Sequence, residues 1–150
     1  MKISTKGRYG TRALLELALS DNNEPMLLRT IAKKQDISLA YLEHVISPLI
    51  AGGLLRSTKG PKGGISLNKK PSEIKLGEVI RLLEGSVAPA DCVDNPGICD
   101  RAGTCVTRDV WCELKDVMDT VLNSTTIQDM VDRQKLKGSP EKVDLDAVLD

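Results

Sequence analysis

The sequence predicts a mainly α-helical chain interrupted by one small β-hairpin. Three observations carry that expectation. Apolar residues recur at three- and four-residue spacing through successive stretches, the period of an amphipathic helix. A glycine- and lysine-rich segment, Thr58 to Gly64, divides two short apolar runs as a hairpin turn does. Val110, Leu114, Val117 and Val121, spaced 4-3-4, form the seam of a long helix that packs along a partner helix.

Taken in order, Ser4 is placed to cap a first helix whose Tyr9, Ala13, Leu14, Leu17 and Ala18 share one face. The turn formers from Asp21 to Pro25 end it. A second, short helix is expected over Leu28–Gln35, burying Leu28, Ile31 and Ala32. Asp36-Ile37-Ser38 reads as a tight break, with Ser38 the N-cap of a third helix and Ile37 placed to staple onto Leu42. That helix buries Leu42, Val45, Ile46, Leu49 and Ile50 and turns Ala40, Tyr41, Glu43, His44 and Ser47 outward. Pro48 deletes one hydrogen bond, so a kink or an early end near Ser47 is expected. Gly52-Gly53 ends the helix, and short strands over Leu54–Ser57 and Ile65–Leu67 flank the basic turn.

Two helices across a three-residue break, the second with an accessible polar face, have the layout of a helix-turn-helix. The hairpin after them carries Lys59 and Lys62 between glycines at its tip, where backbone can approach a phosphate and lysines add charge. Together they make a winged helix-turn-helix. Ile74 to Glu84 reads as a further helix, and DCVDNPGICDRAGTC as an irregular loop. The seam helix follows, with Met118 and Leu122 flanking its stripe; packing on its own domain is the alternative to packing on a partner. Thr125-x-x-Gln128 resembles a capping box opening a last short helix with Ile127, Met130 and Val131. The expected organisation is a winged helix-turn-helix domain over residues 1–84 and a cysteine-containing sensor loop over 85–106. A dimerisation helix with a short C-terminal helix spans 107–135, and a flexible tail spans 136–150.

The 21 Lys and Arg balance the 21 Asp and Glu, but residues 1–70 carry +7 and residues 71–150 carry −7. A basic half is the electrostatic footprint of a nucleic-acid surface; an acidic half can hold a partner or keep the protein soluble. An unevenly charged solvated surface is the plainer alternative. With no Phe and one Trp there is little to stack on single-stranded bases. No apolar run approaches a membrane span and MKISTKGRYG has no apolar signal core, so a cytoplasmic protein without a membrane partner is expected. A thiol oxidoreductase would want a C-x-x-C pair, and a nucleotide enzyme a Walker or dinucleotide motif. The chain has none of these, and no enzyme activity is expected.

These residues resemble the Rrf-two family of bacterial winged-helix transcription regulators, and within it the iron–sulfur cluster regulators. The likeness covers about residues 1–135. It is carried by MKISTKGRYGTRALLELAL, by ISLAYLEHVISPLIAGGLLRSTKGPKGGISL from Ile37 to Leu67, by the three-cysteine loop, and by CVTRDVW. It implies a homodimer whose long helices cross, setting two winged units on successive faces of a pseudo-palindromic operator. The recognition helix would carry Ser38, Tyr41 and Glu43; the matching Glu of the family discriminates among operators, as a carboxylate accepting from cytosine N4 can. Lys59 stands where the family often has Arg and offers a point charge instead of a fork. Lys62 lies beside it on the wing, and Lys6, Arg8, Tyr9 and Arg29 match contacts to the DNA backbone. His44 reads as a DNA-facing or solvated residue, not a ligand.

All four cysteines, Cys92, Cys99, Cys105 and Cys112, fall in one window, the first three spaced C-x6-C-x5-C. In a reducing compartment such a cluster favours metal ligation or redox sensing. The resemblance implies Cys92, Cys99 and Cys105 as ligands of an iron–sulfur cluster, of [2Fe–2S] type in first place and [4Fe–4S] in second. The family's fourth ligand is a His three residues after the third Cys. Here that position is Arg108, which stays protonated and cannot ligate. A carboxylate near the start of the partner's first helix serves some relatives; here the place holds Arg8. Cys112 can substitute if the helix begins near Thr107, but a helix beginning at Cys105 would set the two about 10 Å apart. Asp109, Glu113, an added thiol or water are further candidates. The expected function is a regulator of iron–sulfur biogenesis or related genes that senses cluster status, nitric oxide or redox stress, with iron–sulfur assembly proteins as further partners. A cluster-free thiol sensor, a partner-steered regulator of cysteine metabolism, and structural zinc, which usually takes closer Cys pairs, remain alternatives.

Overall fold

A computed structural model describes residues 2–20 and 22–138. Helices α1 (Thr5–Leu19), α2 (Leu28–Gln35) and α3 (Leu39–Ala51) are followed by an antiparallel hairpin of β1 (Leu55–Thr58) and β2 (Gly64–Leu67). Then come α4 (Leu76–Glu84), the one-turn α5 (Asp91–Asp94), the long α6 (Val106–Ser124) and α7 (Ile127–Lys137). The mainly helical fold with a two-stranded wing is the class the sequence predicts. Among the described residues no helix is long and apolar enough to cross a membrane.

The caps follow the local chemistry. The Ser4 hydroxyl accepts the Gly7 N–H at 3.2 Å and the Ser38 hydroxyl accepts the Tyr41 N–H at 3.2 Å, each satisfying a donor that a helix start leaves free. Asp36 takes a left-handed backbone, φ 53°, which stops α2 and lets the Ile37 N–H return to the Ala32 carbonyl at 2.9 Å. Met26 pairs with Ile65 through two 2.8 Å backbone bonds. Gly64, with φ 153°, permits this, since a Cβ there would lie 2.6 Å from the Met26 carbonyl oxygen.

One apolar core joins these pieces. Leu14, Ile31, Leu42, Leu49, Leu54, Ile74, Val79 and Ile127 are all fully buried in it; Leu28 and Ile50 only border it. The last helix therefore returns to the domain that begins the chain. A short antiparallel bridge brings it there: the Leu76 N–H donates to Thr125 O at 2.8 Å and the Ile127 N–H to Ile74 O at 2.9 Å. Helix α6, by contrast, buries none of its residues fully.

Five local expectations are corrected. Helix α3 does not stop near Ser47 but runs through Pro48 to Ala51, because burial of Leu49 holds the last turn past the one missing bond. The segment from Ile74 is not helical until Leu76; a 3-10 turn, Pro71–Glu73, precedes it, and the backbone of Ile74 to Leu76 pairs with 125–127 instead. The cysteine segment is not wholly irregular, for it holds α5 and a 3-10 turn, Pro96–Ile98. The capping box lies one residue later, between Thr126 and Asp129, because Thr125 is occupied as the C-cap of α6. The expected tail begins too early: Leu136 and Lys137 still belong to α7, and residues 139–150 lie outside those described.

Candidate nucleic-acid interface and thiol loop

Helix α3 divides cleanly. Leu42, Val45, Ile46 and Leu49 point into the core, and the 3.6-residue period then forces Ser38, Tyr41, Glu43, His44 and Ser47 outward, where all five are exposed. Lys59 and Lys62 are exposed on the turn between β1 and β2. Arg8 and Arg29 are exposed, Lys6 and Tyr9 half-buried. Among the described residues Lys6, Arg8, Arg29, Lys59 and Lys62 form no ion pair, while Lys34, Lys69 and Lys115 do. Their charge is available to an anionic partner. The fold also brings Tyr9 of α1 against Tyr41 of α3, ring centres 5.8 Å apart and edge to face. Arg12, counted in the sequence only as charge, lies over the Tyr9 ring at 5.5 Å. The three-residue step from Tyr9 to Arg12 along a helix was the available signal.

The thiols sit on three elements. Half-buried Cys92 is in α5, exposed Cys99 follows the 3-10 turn, and half-buried Cys105 is the N-cap of α6; all are free, as is Cys112. Arg108, on the first turn of α6, donates from Nε to the Cys92 carbonyl at 2.8 Å and so ties α5 down. Asp94 strengthens the tie, accepting from the Ser86 hydroxyl and lying 3.9 Å from Lys115 Nζ. Cys105 Sγ is 3.1 Å from Thr107 Oγ1. That hydroxyl, and after it the Arg108 backbone N–H, hold the Cys105 thiol below its ordinary range. Helix α6 starts at Val106, so Cys112 is seven residues beyond Cys105, about 10 Å along the axis.

A family model described as Rrf2, iron-dependent transcriptional regulator, matches residues 3–133. The chain belongs to the Rrf2 family of transcriptional regulators. Its Rrf2 relatives include the HTH-type transcriptional regulator CymR of Bacillus subtilis, 38% identical over 130 residues, which are 87% of this chain and 89% of that one. The HTH-type transcriptional regulator IscR of Pectobacterium carotovorum is 35% identical over 146 residues, 97% of this chain and 88% of the other. Among solved Rrf2 structures, IscR of T. potens superimposes with a TM-score of 0.75 at 35% identity, covering 94% of each chain.

In this Rrf2 chain the thiols of Cys92, Cys99 and Cys105 suit an iron–sulfur cluster in kind, being soft donors within one short segment, with one already biased toward thiolate. They are not drawn together: among the described residues no three His, Cys, Asp or Glu side chains are grouped to hold a metal.

Proposed function

We propose that the chain binds duplex DNA as a homodimer and controls transcription according to the state of its thiol loop, with an iron–sulfur cluster on Cys92, Cys99 and Cys105 as the sensing group. The observation that carries the reading is the joining, in one small fold, of an exposed polar α3 face, of cations on α1, α2 and the wing that form no ion pair among the described residues, and of a three-thiol segment at the root of α6. Ser38, Tyr41 and Glu43 read base edges; Lys59 and Lys62 on the wing and Lys6, Arg8, Tyr9 and Arg29 engage the phosphate backbone. Val110, Val117 and Val121 are 51%, 61% and 57% exposed on the outer side of α6, with Leu114 half-buried in the same stripe. Such a stripe is covered by a second copy related by a two-fold axis.

The cluster, [2Fe–2S] in first place, supplies a redox-labile centre whose gain and loss registers iron–sulfur supply, nitric oxide or oxidative stress. The loop lies between α4 and α6, so ordering it biases how α6 leaves the domain and how two recognition helices are spaced. Iron–sulfur biogenesis genes are the regulon this predicts, in the cytoplasm, with assembly proteins supplying the cluster. Cys112 is not proposed as the fourth ligand, because the helix start at Val106 holds it about two turns from Cys105.

A second reading is favoured by the Arg108 tie: protein groups already order the loop, as suits a cluster-free thiol- or partner-controlled regulator of cysteine or sulfur metabolism. The solved structure described as CymR, the global cysteine regulator of B. subtilis, also has a TM-score of 0.75 at 36% identity, covering 89% of this chain and 98% of that one. Anaerobic purification with a visible spectrum and iron and sulfide counts separates the two. The cluster reading expects colour, iron and sulfide in the wild type and in Cys112→Ser, and their loss in Cys92→Ala. Colourless protein with four free thiols, still binding DNA, would establish the second reading instead.

A further inference from the structure

Arg12 is exposed on the outer side of α1, yet two of its guanidinium donors are engaged within the protein, both by one residue. Its Nε donates to Gln35 Oε1 at 2.9 Å and its Nη2 to the Gln35 carbonyl at 2.6 Å. Its cation also lies over the Tyr9 ring. Glu16, one turn further along α1, accepts Gln35 Nε2 at 2.8 Å and Lys34 Nζ at 2.7 Å. Gln35 is the last residue of α2, immediately before the left-handed Asp36 that opens the break to α3. The Gln35 carbonyl is one of those a helix end leaves without an intrahelical partner, and a cation there complements the helix dipole. Two routes therefore run from Arg12 to the recognition helix. One passes through the end of α2 and the three-residue break; the other passes through Tyr9 to Tyr41 on the first turn of α3.

We propose that Arg12 is a positioning residue for sequence discrimination: it sets the placement of α3 while making no contact with DNA. The physical argument is one of tolerance. A base-edge hydrogen bond is steeply dependent on distance and angle, whereas phosphate contacts from flexible lysines accommodate small displacements. Loosening the clamp should therefore degrade specific binding and leave non-specific binding alone. Lysine retains the charge but cannot supply the two-point fork that grips side chain and carbonyl of one residue. The inference rests on reading α3 as the helix that enters DNA.

The test begins by selecting duplexes from a randomised pool with the full-length wild type. Affinity for the selected duplex and for a scrambled one is then measured across a salt series for wild type, Arg12→Lys and Gln35→Ala, alongside thermal unfolding. The expected result for Arg12→Lys is a roughly tenfold smaller ratio of selected to scrambled affinity, about 1.4 kcal/mol. Scrambled-duplex affinity and salt slope should be unchanged and unfolding should stay a single transition. Gln35→Ala, which removes only the side-chain half of the grip, should lose less, and it carries the same readout if Arg12→Lys does not fold. Unchanged discrimination in the folded variants overturns the proposal. So does a salt slope smaller by about one, the mark of a lost phosphate contact, or an equal loss on both duplexes. Failure of the wild type to select any duplex would overturn the reading of α3, and the proposal with it.

Discussion

The carboxylate of Glu84, the last residue of α4, accepts the backbone N–H of Gly7 at 3.1 Å in the first turn of α1. The same oxygen takes the Ser4 N–H at 2.9 Å and the Ser4 hydroxyl at 2.6 Å. One carboxylate thus satisfies donors that the start of α1 leaves over and places negative charge at the positive end of its dipole. It also joins the residue before the thiol segment to the helix bearing Lys6, Arg8 and Tyr9.

This contact requires a glycine. A Cβ at residue 7 would collide with the Glu84 carboxylate. Gly7→Ala should therefore swing the carboxylate away and destabilise the protein by about 1–2 kcal/mol through its lost capping bonds, although alanine is the better helix former by about 1 kcal/mol. Urea unfolding of Gly7→Ala, Glu84→Ala and the double variant checks it. The two losses should be strongly non-additive, because the collision disappears with the carboxylate; additive losses would mean that the two residues act independently.

Cys105 should react as an activated thiol. Because the Thr107 hydroxyl and then the Arg108 N–H favour its thiolate, its folded value lies below the unfolded one. The stabilisation is accordingly present above the unfolded thiol value and is lost as pH falls through the folded value. Alkylation follows the thiolate fraction. In reduced, metal-free protein the pH profile of iodoacetamide labelling at Cys105, read by mass spectrometry, should move to higher pH in Thr107→Val. An unmoved profile would show that the hydroxyl does not matter.

Val117 tests the outer face of α6. Its side chain is 61% exposed, so Val117→Lys should leave folding of the single chain intact while placing charge in an apolar seam. Sedimentation equilibrium should show self-association weakened by roughly tenfold or more, as expected for a seam residue at the centre of an interface. Normal dimerisation would move the interface away from this stripe.

Glu43 tests base reading directly. Glu43→Ala should relax preference at one base pair by about 1–3 kcal/mol with a smaller effect on total affinity, measured by competition among single-base variants of a selected duplex. A uniform loss over all of them would assign Glu43 to general positioning.

Much of this fold is legible in local chemistry. Ser4 and Ser38 each cap the helix that follows, Asp36 interrupts the chain between α2 and α3, and the apolar stripe of α3 dictates which of its residues face out; these depend on residues within a turn of one another. The same holds for the wing, whose strands are displaced by one residue at most at any end from the apolar runs that announce them. Thr125 shows where local reading fails. It has the composition of a cap, but α6 had already claimed it, and the neighbouring backbone is paired with residues some fifty positions earlier.

Short-range periodicity and residue type suffice for the order of the longer helices and the wing, the exposed face of α3, the basic turn, and three thiols ahead of a long helix. Long-range packing, and nothing local, sets Arg12 on the end of α2, Glu84 as the cap of α1 from 80 residues away, and Arg108 against the thiol segment at Cys92. Each of these is a polar group satisfied by a distant backbone. Hydrogen bonds of this kind leave no period in a sequence; they exist because packing one apolar core brings otherwise unrelated helix ends within three ångströms of a side chain able to satisfy them.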